Sequence, residues 1–445
     1  MITPRTLKGF RDYPPAIMIP REAMMDTARR VFRSFGFAPI DTPVLEYLQI
    51  LTGKGSEETD RQIYNFTTRG GREVAMRFDL TVPLARFAAQ HINALGTPFR
   101  RYHIAPVWRG ENPQSGRYRE FVQCDFDTIG TESAVSDTEV IMVVNRLLNE
   151  LGFDEFTISI NNRMVLSGLL EKLDLIEKTT DVLRCLDKIG KIGREAVAKE
   201  MVDSASVTSD QANQVLALSD LDDEPESVLD SLLEIVSGSE TGVQGVERLG
   251  EVYRSAIASG VSPERLRLDV SIARGLDYYT GTIFETTLDE LPGIGSICSG
   301  GRYDNLASLY TKQRLPGIGG SLGLDRLLAA MEQLKLLPSQ SVSAPTMIAY
   351  FDKSLKEDYL KMSSQLRSAG LGIEMYPDPK RLAAQLKYAD QKGFSHVIIA
   401  GDREWQNGEV QVKTLATKES HTIAYQHDAF EELARFLGST IAESE

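Results

Sequence analysis

The spacing of apolar and polar positions divides the chain into three stretches of different character. In the first, Met24, Ala28, Val31 and Phe32 recur at helical spacing, which predicts a helix over Ile19–Phe35 ended by Gly36. Strands are expected at Ala38–Leu45 and Glu73–Phe78, with a helix over Thr81–His91. Two β-rich runs, Tyr102–Trp108 and Tyr118–Asp127, flank Asn112, Pro113, Gln114, Ser115 and Gly116. That pattern predicts a strand, a loop and a returning strand. A helix follows over Asp137–Leu151 with Ser136 as its cap, then a strand over Phe156–Asn161.

Residues 164–260 change style. Leu166–Leu173, Asp181–Ile189, Ser206–Ser219, Pro225–Val236 and Val246–Ser259 are helical patterns separated by short turns, so this stretch reads as an all-helical insert. Strand patterns return at Leu266–Ile272, Thr282–Thr287 and Ile297, and a helix runs from Ser321 to Lys335. Leu336–Pro345 holds two prolines and three serines, as a linker would. Beyond it, strands at Thr346–Phe351, Gly372–Tyr376, His396–Ala400 and Glu409–Thr414 alternate with helices at Leu355–Ala369, Leu382–Lys392 and Asp428–Leu437. This spacing predicts a small α/β domain of residues 346–445. The whole chain is accordingly of the α/β class.

The 445 residues suffice for two or three cores. No apolar run reaches the roughly 18 residues a membrane helix needs, and no basic leader precedes an apolar stretch. A cytoplasmic protein without a membrane partner is expected. Cys124, Cys185 and Cys298 are scattered, which suits a reducing compartment, and the five histidines show no ligand spacing. No metal site built from protein side-chain clusters is expected. The net charge of -14 first argues against nucleic acid. Yet Glu200–Glu247 carries 12 acidic residues and neither Lys nor Arg, so the rest of the chain is nearly neutral. Phosphate binding needs a local basic field only.

Candidate chemistry sits in four segments. In Arg101–Gly130, arginines 109, 117 and 119 can grip a phosphate through the planar guanidinium fork, or they can simply line a salt-bridged face. Gln123, Asp125 and Asp127 alternate and so share one face. In RFDLT, Asp79 and Thr81 lie on one side of an extended segment, where with Asp127 they suit an ammonium group; Thr81 also suits a helix cap. ARGLDYYTGTIFE (273–285) and SICSGGRYDNL (296–306) place glycines beside Arg274, Tyr279, Arg302 and Tyr303, as a pocket or a pair of turns would. PGIGGSLGLDRLLAAM (316–331) is a glycine-rich strand entering a helix, whose amides suit a nucleotide and whose Arg326 reaches a phosphate. It lacks the dinucleotide-fold and P-loop signatures. KMSS at 361–364 falls inside an amphipathic helix and is set aside.

Together these segments resemble the histidyl-tRNA synthetase family of class II aminoacyl-tRNA synthetases over nearly the whole chain. Residues 20–45 look like motif 1, Arg101–Gly130 like motif 2 and Gly317–Met331 like motif 3, while ARGLDYYTGTIFE and SGGRYDNL resemble the two segments peculiar to the histidine enzymes. The resemblance implies a class II antiparallel sheet flanked by helices, formed by residues 1–163 and 261–335. It further implies a helical insertion over 164–260, a linker over 336–345, and a C-terminal α/β anticodon-binding domain over 346–445. By resemblance, Asp79, Thr81, Gln123, Asp127, Tyr279 and Tyr303 bind histidine. Arg109, Glu111, Arg117, Phe121 and Arg326 bind ATP, and Arg109, Arg274 and Arg326 are the catalytic arginines. Asp127 and Asp325 stand where Glu is frequent in the family; neither change removes a charge.

The implied partners are L-histidine, ATP with Mg²⁺, tRNA(His) and a second copy of the chain joined through the motif 1 region. The implied reaction is attack of the histidine carboxylate on the α-phosphorus of ATP, then transfer of histidine to the 3′ end of tRNA(His). One alternative is a catalytically inactive synthetase-like regulatory subunit of histidine biosynthesis, which would typically lack the tail and the arginines. Others are a non-catalytic RNA-binding module on the same fold, which the intact phosphate-binding arginines oppose, and a different class II synthetase, which the RGLDYY and GGRYD segments oppose.

Overall fold

A computed structural model describes residues 1–52, 60–113, 116–186, 188–221, 224–272, 278–337, 342–426 and 430–442. The chain divides into two compact units, one of residues 1–11 and 24–336, the other of residues 12–23 and 337–445.

The first unit is built on an eight-stranded sheet. In chain order its strands are β1 (Ala38–Pro39), β2 (Phe99–Trp108), β3 (Glu120–Ile129), β4 (Phe156–Asn162), β5 (Leu266–Leu268), β6 (Thr282–Leu288), β7 (Cys298–Tyr303) and β8 (Gly317–Gly323). They lie in the order β1-β2-β3-β8-β7-β6-β4-β5. The six inner strands pair antiparallel, and only the short edge strands β1 and β5 pair parallel. The expected hairpin forms as β2 and β3, in register from Phe99 opposite Ile129 to Trp108 opposite Glu120. β3 is buried on both faces from Val122 onward, so its polar residues are interior rather than solvated.

Apolar spacing located the flanking helices well. The first runs Pro15–Ser34, with Met24, Ala28, Val31 and Phe32 buried, and Gly36 at φ +80° ends it. Helix Ala134–Glu150 starts earlier than expected and is capped by Ser133, not Ser136: the Ser133 side chain accepts from the Val135 amide. The strand expected over Ala38–Leu45 is two short pieces, Ala38–Pro39 and Leu45–Tyr47. Leu45–Tyr47, Glu73–Met76 and Asn65–Thr67 form a separate antiparallel sheet. The late helix begins at Leu324, not Ser321, because Gly317–Gly323 pairs on both sides as β8.

The insert is helical as expected, with an additional helix at Arg194–Ala205 whose weak amphipathicity hid it. It is anchored by helices Arg163–Lys172 and Glu240–Ala258, which approach closely because Gly168 and Gly245 carry no side chain where a Cβ would strike the facing backbone at Gly242 and Val165.

In the second unit a five-stranded mixed sheet pairs Ile373–Met375, Thr346–Ile348, His396–Ile399, Glu409–Thr414 and Ser420–Ala424 in that order. Helices Lys356–Ser368, Leu382–Lys392 and Glu431–Ala442 accompany it, and residues 361–364 lie within the first of these. The last strand and the short helix Asp402–Asn407 went unread, since neither has a long periodic pattern. No described helix is long and apolar enough to cross a membrane.

Candidate active site

β3 and β8 set the floor of the site. Their register places Asp127 opposite Gly319, Asp125 opposite Ser321 and Gln123 opposite Gly323, while Arg101 and His103 face Asp127 and Asp125 from β2. The alternation read from the sequence therefore holds: Gln123, Asp125 and Asp127 form one buried polar row. Arg101 Nη2 lies 2.6 Å from Asp127 Oδ2 and 3.9 Å from Asp125 Oδ2. The Tyr303 hydroxyl donates to Asp127 Oδ1, reaching across β8. That reach requires glycine: a Cβ on Gly317 would overlap the Tyr303 ring, and one on Gly319 the Asp127 carboxylate. The glycines of β8 therefore serve close approach. Their amides belong to the sheet ladder, which replaces the nucleotide-facing role expected of them.

The row is under-satisfied. Gln123 Nε2 donates to Ser321 Oγ at 2.6 Å, but Gln123 Oε1, Asp125 Oδ1, and Arg101 Nε and Nη1 have no hydrogen-bond partner among the described residues. Burial without full pairing favours the neutral carboxyl. It pushes Asp125 up to about 7, against the opposing pull of Arg101, and raises Asp127 as well. Asp79, also buried, is raised to about 6 by desolvation, with Arg109 pulling the other way. Asp79 Oδ1 accepts the Val82 amide at 3.2 Å from just ahead of helix Thr81–Leu95, whose cap position is Leu80; Thr81 is not the cap but the helix's first residue, and is half-buried.

Three tyrosines wall the row. Tyr279 and Tyr278 meet edge to face with ring centres 4.6 Å apart, and Tyr278 lies 6.3 Å from Tyr303. Burial holds the hydroxyls of Tyr279 and Tyr303 well above the usual phenol range, keeping both as donors. Arg274 lies outside the described residues.

The arginine side adjoins this floor. Arg109 Nε donates to the Phe78 carbonyl at 2.9 Å, its guanidinium stands 5.2 Å over the Phe121 ring, and Nη1 is 3.8 Å from Glu111. Arg109, Glu111, Phe121 and Asp79 thus share one corner. A second corner forms at the start of helix Leu324–Leu334. Arg326 Nη1 donates to the Ser296 carbonyl, Gly116 packs against Arg326, and Arg117 reaches the neighbouring Gly295. Asp325 is buried and accepts the Val122 amide at 2.8 Å, so it locks this helix to β3. Sequence reading missed Arg101, Tyr278 and Ser321; the alternation that marked Asp125 and Asp127 points to Arg101 once the hairpin register is known. Among the described residues no His, Cys, Asp and Glu group is arranged to hold a metal.

The family model described as histidyl-tRNA synthetase matches residues 9–327, and that of an anticodon binding domain matches residues 345–434. The chain belongs to the histidyl-tRNA synthetase family. It is 69% identical to a histidine–tRNA ligase of Rhodopirellula baltica over 96% of this chain and 97% of that one. A histidine–tRNA ligase of Wolinella succinogenes is 45% identical over 93% and 94%. The fold matches the crystal structure of histidyl-tRNA synthetase from Nostoc sp. PCC 7120 with a TM-score of 0.90 and 32% identity, covering 99% of this chain and 100% of that one. The antiparallel sheet flanked by helices is therefore the class II synthetase fold expected from the motifs.

Proposed function

We propose that this protein is a histidine–tRNA ligase that makes histidyl-adenylate from histidine and ATP and then charges tRNA(His). The observation that carries this is the joining, on one sheet face, of an under-paired acidic row with an arginine corner at Arg109. Acceptors on Asp79, Gln123, Asp125 and Asp127 suit the α-ammonium and ring N–H groups of histidine, with Thr81 beside them. Tyr279 and Tyr303 enclose the imidazole. Such a site rejects side chains without ring nitrogens, because its buried polar atoms would then stay unpaired.

ATP, the second substrate, lies with its adenine on Phe121 and its phosphates between Arg109 and Arg326, with Glu111 and Arg117 at the edges. Arg117, exposed on its loop, suits the tail phosphates. The histidine carboxylate attacks the α-phosphorus and pyrophosphate leaves. Arg109 stabilises the charge that grows on the phosphoryl oxygens, and Arg274 is assigned the opposite side. Mg²⁺ carried in with the nucleotide would neutralise its phosphates. In the second step the 3′-terminal ribose hydroxyl of the tRNA attacks the carbonyl of the adenylate.

A catalytic domain of residues 1–163 and 261–335, a helical insertion of 164–260, a linker of 336–345 and an anticodon-binding domain of 346–445, with a cytoplasmic location and a homodimer, complete the proposal. Exposed Leu45, Tyr47 and Phe66 on the small antiparallel sheet, with Val44 just before it, support an apolar contact beside motif 1. The retained arginines and the anticodon-binding segment disfavour the regulatory-subunit alternative. The decisive experiment is histidine-dependent exchange of pyrophosphate into ATP without tRNA. Exchange with histidine and with no other amino acid is expected, and its absence in folded protein at millimolar histidine overturns the proposal.

A further inference from the structure

A second buried cluster sits on the opposite face of the same strands. In β7, Tyr303 points to the pocket and its neighbour Arg302 to the other face. Arg302 Nε lies 3.1 Å from Asp137 Oδ1, which Nη2 also donates to, while Nη1 donates to the Thr131 carbonyl at 2.9 Å and to Asp304 at 3.3 Å. Thr282 Oγ1 donates to Asp137 Oδ2 at 2.8 Å. The chain just before Thr282 is tied in as well: the Thr280 amide donates to the Arg302 carbonyl at 2.8 Å and its hydroxyl to Asp304 at 2.7 Å. Thr280 follows Tyr279 directly. Asp137 and Arg302 thus hold the backbone that carries both pocket tyrosines.

The helical insert reaches the same carboxylate. Arg248, in helix Glu240–Ala258, has Nη1 3.6 Å from Asp137 Oδ2 and 3.1 Å from the Glu132 carbonyl. The other end of the insert is fastened nearby, where the Arg163 amide donates to the Gly281 carbonyl at 2.9 Å. Between these ties lies a polar cavity of about 480 Å³ lined by Asn162, Gln244, Arg248, Thr280, Thr282 and Arg302 among others. Polar ties from Arg248 and Arg163 therefore flank a cavity here, while helix Glu240–Ala258 also packs along helix Ala134–Glu150 and β4.

We propose that Asp137 is the joint through which the helical insert positions the histidine pocket, with Arg248 and Arg302 as its two arms. All three are positioning residues, since none is in the pocket. The inference rests on the proposed function, because it takes Tyr279 and Tyr303 to enclose the substrate imidazole.

The test is pyrophosphate exchange by the full-length protein at varied histidine and varied ATP. Arg248→Met, at a one-third exposed position, should raise KM for histidine by about three- to fivefold with kcat and KM for ATP unchanged, the scale of one partly exposed ion pair. Arg248→Lys should restore most of the loss. Thr282→Val, which removes a bond to the same oxygen from the sheet side, should shift KM in the same direction. Arg254→Met breaks a pair internal to the insert, with Glu226, and should leave all constants unchanged. An unchanged histidine KM in Arg248→Met, or a parallel loss in kcat and in KM for ATP, overturns the joint while leaving the pocket assignment intact. Absence of exchange in the unsubstituted protein overturns both.

Discussion

Two buried aspartate–arginine clusters occupy opposite faces of one sheet, and they differ in how fully they are paired. Around Asp137, the Arg302 guanidinium spends its donors on Asp137, Asp304 and the carbonyls of Thr131 and Ser133. Around Asp127, the equally buried Arg101 leaves Nε and Nη1 without a partner among the described residues, and Gln123 and Asp125 keep acceptors unpaired. Burying a polar group unpaired costs about 1–3 kcal/mol. A saturated cluster holds the fold together. The unsaturated one, where Gly317 and Gly319 let Tyr303 and Asp127 close on each other, is where the proposed substrate histidine would supply the missing bonds.

The largest expected contrast is in stability. Asp137→Asn leaves Arg302 buried against a neutral partner and should cost about 3–5 kcal/mol in chemical denaturation. A loss below about 1 kcal/mol would show that the saturated cluster holds nothing, since that is the scale of a surface pair. On the catalytic side, Arg109→Ala should lower kcat for exchange about 100- to 1,000-fold with little change in unfolding free energy, because the side chain is one-third exposed.

Proton linkage separates regions by sign. Asp79 and Asp125 titrate near 6 and 7 in the folded protein, pushed up by burial, against about 3.9 unfolded. The stabilisation from holding these protons is fully present below pH ~4 and is lost as pH rises through about 6 to 7. His396 in the second unit behaves oppositely. Burial lowers it from 6.5, and neither ring nitrogen has a partner among the described residues, so its unit loses stability as pH falls below about 6.5. Denaturation at pH 5 and 7.5 should show Asp125→Asn weakening the first dependence and His396→Leu removing the smaller second one.

Much of this architecture was legible in the sequence because it rests on periodicity. The stripe through Met24, Ala28, Val31 and Phe32 and the alternation of Gln123, Asp125 and Asp127 each report a buried face directly. What stayed hidden depends on pairing between distant strands. Arg101 gains its role only from lying opposite Asp127, and Asp137 only from meeting Arg302, 165 residues away. The glycines of β8 looked like a nucleotide loop because sequence does not distinguish glycine needed for backbone donors from glycine needed for space. Ser133 displaced Ser136 as a cap because two serines at adjacent turns present the same local signal.

The unequal pairing of the two clusters is tested most directly at Asp125, by measuring unfolding free energy and histidine affinity on the same Asp125→Asn preparation. The substitution keeps the shape but removes an ionisable acceptor from the unsaturated row. Stability should not fall, and should rise at pH 7.5 where burial opposes the ionised carboxyl, while the Kd for histidine rises about tenfold or more, the weight of a charge-assisted bond. A fall of several kcal/mol in stability with an unchanged Kd would contradict the account, since Asp125 would then be serving the fold and not the substrate.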